Sequence, residues 1–240
     1  MEKPNNFGKH WSWRDRYALK SSYENGESVQ NLSIKYKRTV NSIKNQINIV
    51  KIKDIIEKRQ IKELLHFTDK RNINFIKKFG LLGINALGTK KIQYYSNDSK
   101  RLDGMPACIC LSVSYLNRYL LRSYNAKEKR DWVQITINPI VLFTRGAYFF
   151  DSNAANKKFR DDKKYNYDYL RSADAFESMF ADCVESSNGK YTREKNISKT
   201  SRPITSRKLA NVPTDLQAEI LVSSYIPLSY IMDFKEIDDV

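Results

Sequence analysis

The stretch Leu216-Gln217-Ala218-Glu219-Ile220-Leu221-Val222 places one carboxylate, Glu219, in an otherwise apolar run. A short apolar run of this kind predicts a buried strand. Burying an unpaired carboxylate costs several kcal/mol, so Glu219 either lies on the solvated face of an edge strand or has a function inside the protein. Two other segments bear on the choice, namely Leu65-His66-Phe67-Thr68 and Arg101-Leu102-Asp103-Gly104. Histidine, arginine and glutamate in this order indicate a nucleotide-using transferase.

The composition limits the class of protein. The chain has 240 residues, enough for one large domain or for a small domain beside a medium one. Its 15 Tyr and 11 Phe allow a substantial core. The formal net charge of +15 favours a polyanionic partner, most simply nucleic acid, through neutralisation of phosphates and release of counterions. A basic protein without such a partner is the alternative.

The cysteines and the length of the apolar segments together predict where in the cell the protein is located. The three cysteines form neither a disulfide framework nor a zinc-binding pattern with histidine, so we expect reduced, buried thiols and no metal. Residues 1–6 contain no apolar segment, and no run approaches the roughly 18 apolar residues of a membrane span. We therefore expect a soluble cytoplasmic protein that engages no membrane.

Residues 1–54 are predicted to form a small domain of three helices. The first segment ends at Asn25-Gly26, a helix-stop signal, and Ser28 opens the second. Thr39 opens a third segment, whose apolar stripe is Val40, Ile43, Ile47 and Val50. Its opposite face is polar and supplies the candidate nucleic-acid-binding residues Asn41, Lys44 and Asn45.

This pattern resembles the Myb/SANT-like helix-turn-helix domains over about residues 9 to 50. Residues 1–60 contain 13 Lys and Arg against 6 Asp and Glu, a balance that fits a DNA-facing module. A helical bundle that binds a protein, or that merely caps the second domain, is the alternative. The charged segment 52–60 is predicted to be a helical linker.

Residues 55–240 are predicted to form a mixed α+β domain, because several strands follow one another with few helices between them. We expect strands at Leu64–Thr68, Cys108–Tyr115, Val133–Ile137, Tyr148–Phe150 and Gln217–Val222. Helices are expected from an Asp69 N-cap to Gly80 and at Ala173–Phe180.

The segment 186–208 differs in kind, since it is polar, basic and almost free of apolar residues. It suits a loop that becomes ordered on nucleic acid, and a solvated insertion is the alternative. Its candidate nucleic-acid-binding residues are Lys195, Lys199, Arg202 and Arg207.

Five sequence blocks appear in a fixed order between residues 62 and 232. They are Leu65-His66-Phe67-Thr68 with Gly80-Leu81-Leu82, the segment 97–114, Phe150-Asp151-Ser152-Asn153-Ala154-Ala155, Ala175-Phe176-Glu177-Ser178-Met179-Phe180, and Gln217-Ala218-Glu219-Ile220-Leu221-Val222. Together these blocks resemble the DarT family of DNA ADP-ribosyltransferases. The three-helix domain lies outside the resemblance.

The resemblance implies an ADP-ribosyltransferase-like mixed β core that binds NAD in a split-strand pocket and moves ADP-ribose onto a base in single-stranded DNA. Thymidine is the family's commoner acceptor and guanosine an alternative. The resemblance also implies a toxin or anti-phage effector with a macrodomain-type antitoxin as partner. Two rival functions stay open: an ADP-ribosyltransferase acting on RNA or protein, and a DNA-binding regulator without activity.

The expected catalytic residues are Glu219 and Arg101. Cleavage of the nicotinamide–ribose bond leaves an oxocarbenium-like cation, which a nearby Glu219 carboxylate would stabilise. The guanidinium of Arg101 suits the pyrophosphate of NAD. The family's corresponding arginine is also assigned a part in deprotonating the base, although a guanidinium is a poor base. A structural salt bridge to Asp98 or Asp103 is the alternative for Arg101.

The expected NAD-binding residues lie on the first strand and the following helix. His66 can donate to a ribose hydroxyl, unless it is a satisfied core histidine, and the backbone of Phe67 and Thr68 can meet the nicotinamide amide. Phe75 packs on the nicotinamide or fills the core. Asn153 is expected to tie a loop to the backbone. Five tyrosines are candidates for stacking on unpaired bases: Tyr94, Tyr95, Tyr165, Tyr167 and Tyr169. The alternation of the last three is equally typical of a strand face.

Overall fold

A computed structural model describes residues 4–96, 101–185, 191–193 and 209–238. The chain divides into two compact units, Met1–Ile55 and Ile56–Val240. Within the described ranges, none of the helices is both long and apolar enough to cross a bilayer.

The first unit is built from three helices: α1 Trp13–Glu24, α2 Val29–Lys35 and α3 Val40–Lys58. Hydroxyl side chains cap all three, because Ser12, Ser28 and Thr39 each accept a hydrogen bond from the backbone N–H three residues on. The predicted starts and the Asn25-Gly26 stop are confirmed. The segment 52–60 is helical as predicted as far as Lys58, where it continues α3 without a break.

The core of this unit forms where the apolar stripes of the three helices meet. It consists of Trp11, Leu19, Leu32, Ile43 and Ile47. The guanidinium of Arg38 lies 4.8 Å from the Trp11 ring and donates to the carbonyl of Lys9 at 2.8 Å. The predicted polar face of α3 points outward, with three exposed side chains at Asn41, Lys44 and Asn45.

The second unit contains ten strands among its described residues. They are β1 Leu64–Asp69, β2 Leu81–Leu82, β3 Cys108–Val113, β4 Trp132–Ile137, β5 Ala147–Phe150, β6 Cys183–Glu185, β7 Tyr191–Arg193, β8 Glu219–Ser223, β9 Tyr225–Ile226 and β10 Ile231–Ile237. Six of them form one antiparallel sheet in the order β10-β4-β1-β3-β8-β5. Strands β2 and β9 pair with each other, as do β6 and β7.

Short helices connect these strands. They are α4 Ile73–Phe79, α5 Ile84–Thr89, α6 Arg118–Lys127, α7 Val141–Thr144, α8 Lys158–Asp161, α9 Tyr167–Leu170 and α10 Ala173–Ser178. The predicted α+β class is confirmed.

Several local predictions need correction. Strand β3 ends at Val113, because Ser114 adopts a left-handed φ of 52°. Asp69 caps a 3₁₀ turn at Lys70–Asn72 and not α4 itself, whereas Gly80 does end α4, with a φ of 75°. The alternation of Tyr165, Tyr167 and Tyr169 is not a strand face, because these residues lie on a 3₁₀ turn and on α9.

The central sheet is split between β1 and β3. All six residues of β1 pair with β4, but only Leu64 and Leu65 pair with β3, opposite Val113 and Ser112. Beyond Leu65 the two strands separate, and a cleft opens in the middle of the sheet. The residue that begins this cleft on β1 is His66.

Candidate active site

Glu219 is the first residue of β8, a strand flanked on both sides by β3 and β5. The residue is 8% exposed and its strand is not at an edge of the sheet, so the edge-strand alternative is wrong. The backbone N–H of Ala154 donates to Oε2 at 3.3 Å, and Nδ2 of Asn153 lies 3.4 Å from Oε1. These two donors hold the buried carboxylate in one orientation.

The loop after β5 positions these donors. Asn153 Oδ1 accepts the N–H of Ala155 at 2.9 Å, which is the expected loop tie. The same side chain also reaches Glu219, a contact that the sequence did not reveal. Ser152 Oγ donates to Asp215 Oδ2 at 2.9 Å, so this loop is fastened to the turn that leads into β8.

Arg101 braces the loop before β3. It has a left-handed φ of 40°, and its side chain is 10% exposed. Nη1 donates to the carbonyl of Cys108 at 2.9 Å and Nη2 to that of Met105 at 2.7 Å. Nε and Nη2 both contact Asp103 Oδ2, at 3.0 and 2.9 Å. The salt-bridge alternative is therefore realised through Asp103, while Asp98 lies outside the described residues.

His66 bridges the split between the strands. Its Nδ1 lies 2.9 Å from the carbonyl oxygen of Cys110 on β3. A carbonyl only accepts, so Nδ1 carries the proton. The ring lies partly buried in the cavity wall, and its desolvation lowers the pKa of His66 below its ordinary value; the positive charge of Arg101 lowers the pKa further, against the opposing hydrogen bond to Cys110. A neutral ring leaves Nε2 as an acceptor, which reverses the donor role expected from the sequence.

One cavity of about 580 Å³ joins these side chains. Pockets for small ligands enclose roughly 300–1,000 Å³, so the volume suits a nucleotide. The cavity brings together all the predicted NAD-site residues, namely His66, Phe67, Thr68, Phe75, Arg101 and Glu219. Tyr94 and Tyr95 also line it, and Arg71 lies 3.6 Å above the Tyr95 ring.

Aromatic residues around the cavity differ in what they contact. Phe67 packs edge-on against Trp132, with ring centroids 5.6 Å apart, and Phe75 lies 4.8 Å from Phe79. Both therefore have packing roles besides facing the cavity. The ring of Tyr165 packs against a buried cluster that includes Phe150, Phe159 and Leu170, and Tyr167 is exposed. Neither Tyr165 nor Tyr167 lines the cavity.

Other predicted residues lie elsewhere or outside the described chain. Asn41, Lys44 and Asn45 belong to the first unit. The basic candidates Lys195, Lys199, Arg202 and Arg207 fall outside the described residues. Sequence reasoning missed Asn117, Tyr124 and Lys127, which line the cavity from α6 and its N-cap. In the described part of the chain, no group of three or more His, Cys, Asp or Glu side chains is arranged to hold a metal ion.

Fold and site together define a nucleotide-sized cleft in a split antiparallel sheet, with a buried carboxylate, a neutral imidazole and a guanidinium on its walls. The family model described as "DarT: ssDNA thymidine ADP-ribosyltransferase, DarT" matches residues 65–235. The chain therefore belongs to the DarT family.

Two further comparisons add little to this assignment. Among solved structures, the chain is similar to "Thermosipho africanus DarTG in complex with ADP-ribose", with 15% sequence identity and a TM-score of 0.40. The match covers 72% of this chain and 43% of the other, so this chain spans less than half the length of that protein. No curated protein matches the chain significantly.

Proposed function

We propose that the chain transfers ADP-ribose from NAD to a base in single-stranded DNA, with thymidine preferred over guanosine. The observation that supports this most is the joint placement of His66, Arg101 and Glu219 on one cavity in a chain of the DarT family. In the overall reaction the nicotinamide–ribose bond breaks and a bond from the ribose C1′ to a base nitrogen forms. Nicotinamide and a proton are released.

Glu219 is the proposed countercharge for the ribosyl cation. Its backbone and side-chain donors fix the carboxylate before substrate arrives, so little reorganisation is needed as positive charge develops. This role also explains why a carboxylate is retained in a strand that is otherwise apolar. Replacing it with an apolar residue would remove the burial cost and the catalytic charge together.

His66 is proposed to accept a hydrogen bond from a ribose hydroxyl through Nε2. The contact of Nδ1 with Cys110 fixes the ring plane and the tautomer, and burial keeps the ring neutral. The backbone of Phe67 and Thr68, on the same edge of the split, is proposed to meet the nicotinamide amide. Phe75 contributes an apolar wall.

Arg101 is proposed to attract the NAD pyrophosphate by its charge while its contacts hold the loop in place. A guanidinium is always charged and Arg101 is already paired with Asp103, so it is unsuited to remove a proton from the base. Asp103 is also occupied, since the N–H of Met105 donates to its Oδ1 at 2.7 Å. Glu219 is therefore the cavity carboxylate that we propose accepts the base proton.

The acceptor strand is proposed to contact two further regions. Tyr94 and Tyr95 at the cavity offer rings on which an unpaired base can stack. In the first unit, Asn41, Lys44 and Asn45 form an exposed polar face suited to DNA. The basic residues Lys195, Lys199, Arg202 and Arg207 are proposed to neutralise phosphates.

The biological role follows from the chemistry. An ADP-ribosylated base blocks replication, so the enzyme acts as a toxin or an anti-phage effector. Its host then needs a partner that removes or neutralises the modification, and we propose a macrodomain-type antitoxin.

The test is to incubate the purified chain with NAD and single-stranded oligonucleotides of different base composition, together with RNA and protein acceptors, and to follow their masses. We expect one added ADP-ribose on thymidine-containing DNA. Labelling of RNA or protein in place of DNA would refute the DNA assignment. Binding of NAD without turnover on any acceptor would favour a regulator.

A further inference from the structure

Asn117 is an orphaned amide on the cavity wall. It caps α6, because its Oδ1 accepts the N–H of Leu120 at 3.0 Å. The residue is 2% exposed, and its buried Nδ2 finds no hydrogen-bond partner among the residues that the structure describes. It also lines the cavity that holds His66 and Glu219.

A buried N–H without an acceptor destabilises the ligand-free protein, so such a group in a native structure calls for an explanation. The cap itself does not need the nitrogen, because serine or aspartate caps a helix equally well through oxygen. The amide of Asn117 therefore offers a donor that the fold does not use.

The position of Asn117 indicates which substrate it meets. Its neighbours Leu116 and Leu121 pack with Leu65, the last residue of β1 that still pairs with β3. His66 follows directly, where the cleft begins. Asn117 thus lines the cavity close to the point where β1 and β3 still pair, next to the start of the cleft.

We propose that Asn117 Nδ2 donates a hydrogen bond to an acceptor oxygen of NAD and so fixes the buried part of this substrate. The inference rests on the proposed function, which it deepens by assigning a further substrate-binding residue. A neutral donor suits a carbonyl or hydroxyl oxygen, whereas the charge of Arg101 suits the pyrophosphate.

Two variants isolate the amide nitrogen. Asn117→Asp and Asn117→Ser both keep an oxygen that can cap α6, and both remove Nδ2. The serine variant adds no charge to the cavity, so it separates loss of the donor from repulsion of the phosphates. The matched control is Asn166→Asp, at an exposed N-cap of α9 whose side chain accepts the N–H of Tyr169 at 2.9 Å and lies away from the cavity.

NAD affinity is measured by calorimetric titration, and the melting temperature is measured with and without NAD. We expect both Asn117 variants to bind NAD about tenfold more weakly. The ligand-free melting temperature of Asn117→Ser should equal or exceed that of the wild type, because the orphaned donor is gone, whereas Asn117→Asp should melt lower, because it buries a carboxylate. The control should match the wild type in both measurements.

Three results would overturn the inference: unchanged NAD affinity in both variants, a raised KM for the oligonucleotide alone, or weaker NAD binding by Asn117→Ser accompanied by an equal loss of its ligand-free stability. Each of these leaves wild-type turnover intact and so leaves the proposed function standing. A wild-type chain that neither binds nor consumes NAD would overturn both.

Discussion

Replacing Glu219 with Gln tests the proposed countercharge at nearly constant shape. The side chain is buried at the start of β8, between Phe150 on β5 and the loop that carries Asn153 and Ala154. Gln keeps one oxygen acceptor for these donors and removes the negative charge. The change therefore acts on the reacting centre more than on the fold.

The expected magnitude follows from electrostatics. Opposite unit charges about 4 Å apart interact by about 4 kcal/mol at an effective dielectric constant of about 20. This corresponds to about a thousandfold in rate, and the amide dipole of Gln recovers part of it, so we expect a loss of about 10²- to 10³-fold in kcat. The Gln amide loses one hydrogen bond, worth about 1 kcal/mol, but also relieves the burial of a charge. The melting temperatures of the wild type and of Glu219→Gln should therefore stay close to each other.

The assay is single-turnover transfer of ADP-ribose to a single-stranded oligonucleotide, with saturating NAD. Glu236→Gln is the matched control, because this residue lies on edge strand β10 with a side chain that is 62% exposed and paired with Lys70. The control should transfer at the wild-type rate. A Glu219→Gln protein whose rate stays within fivefold of wild type would refute the countercharge argument.

Three further changes are predicted to have measurable effects. Arg101→Lys loses the fork that holds the carbonyls of Cys108 and Met105, so urea unfolding should show a loss of about 2 kcal/mol, and equal stability would contradict the bracing role. Because the pKa of His66 is lowered on folding, its contribution to stability is present above about pH 6.5 and is lost as the pH falls through the folded-state pKa. His66→Gln should remove this pH dependence of the free energy of unfolding, and an unchanged dependence would show that other groups cause it. Lys44→Ala should weaken DNA binding and reduce the slope of log K against log salt by about one, and an unchanged slope would argue against contact with phosphate.

Several strands of the sheet were predictable because most of their side chains are apolar. Strands β1, β4 and β5 lie within one residue of their predicted bounds. Strand β10 was missed because Asp233, Lys235 and Glu236 interrupt its apolar pattern. These charges are tolerated at an edge, where one side of the strand faces solvent.

The short helices were missed for a different reason. Segments such as α7 and α8 have four residues each, too few for a periodic apolar stripe. Their ends are set by contacts with the rest of the unit. Helix α3 was predicted too short, because its charged second half, up to Lys58, was taken for a linker.

The candidate site was predictable as a set of residue types but not as a geometry. His66, Arg101 and Glu219 stood out because each is polar within or beside a conspicuous block. Their partners did not, since the contact between Glu219 and Asn153 spans 66 positions and the orphaned nitrogen of Asn117 exists only when the surrounding chain is folded. Three-dimensional packing, and not local pattern, creates both features.

The most direct measurement of the central claim is the stoichiometry of the reaction. Nicotinamide released from NAD and ADP-ribose attached to a thymidine-containing single strand are quantified in the same reaction by chromatography and mass spectrometry. The account predicts that the two amounts are equal throughout the time course. Nicotinamide release without labelled DNA, or no release in the presence of DNA, would contradict it.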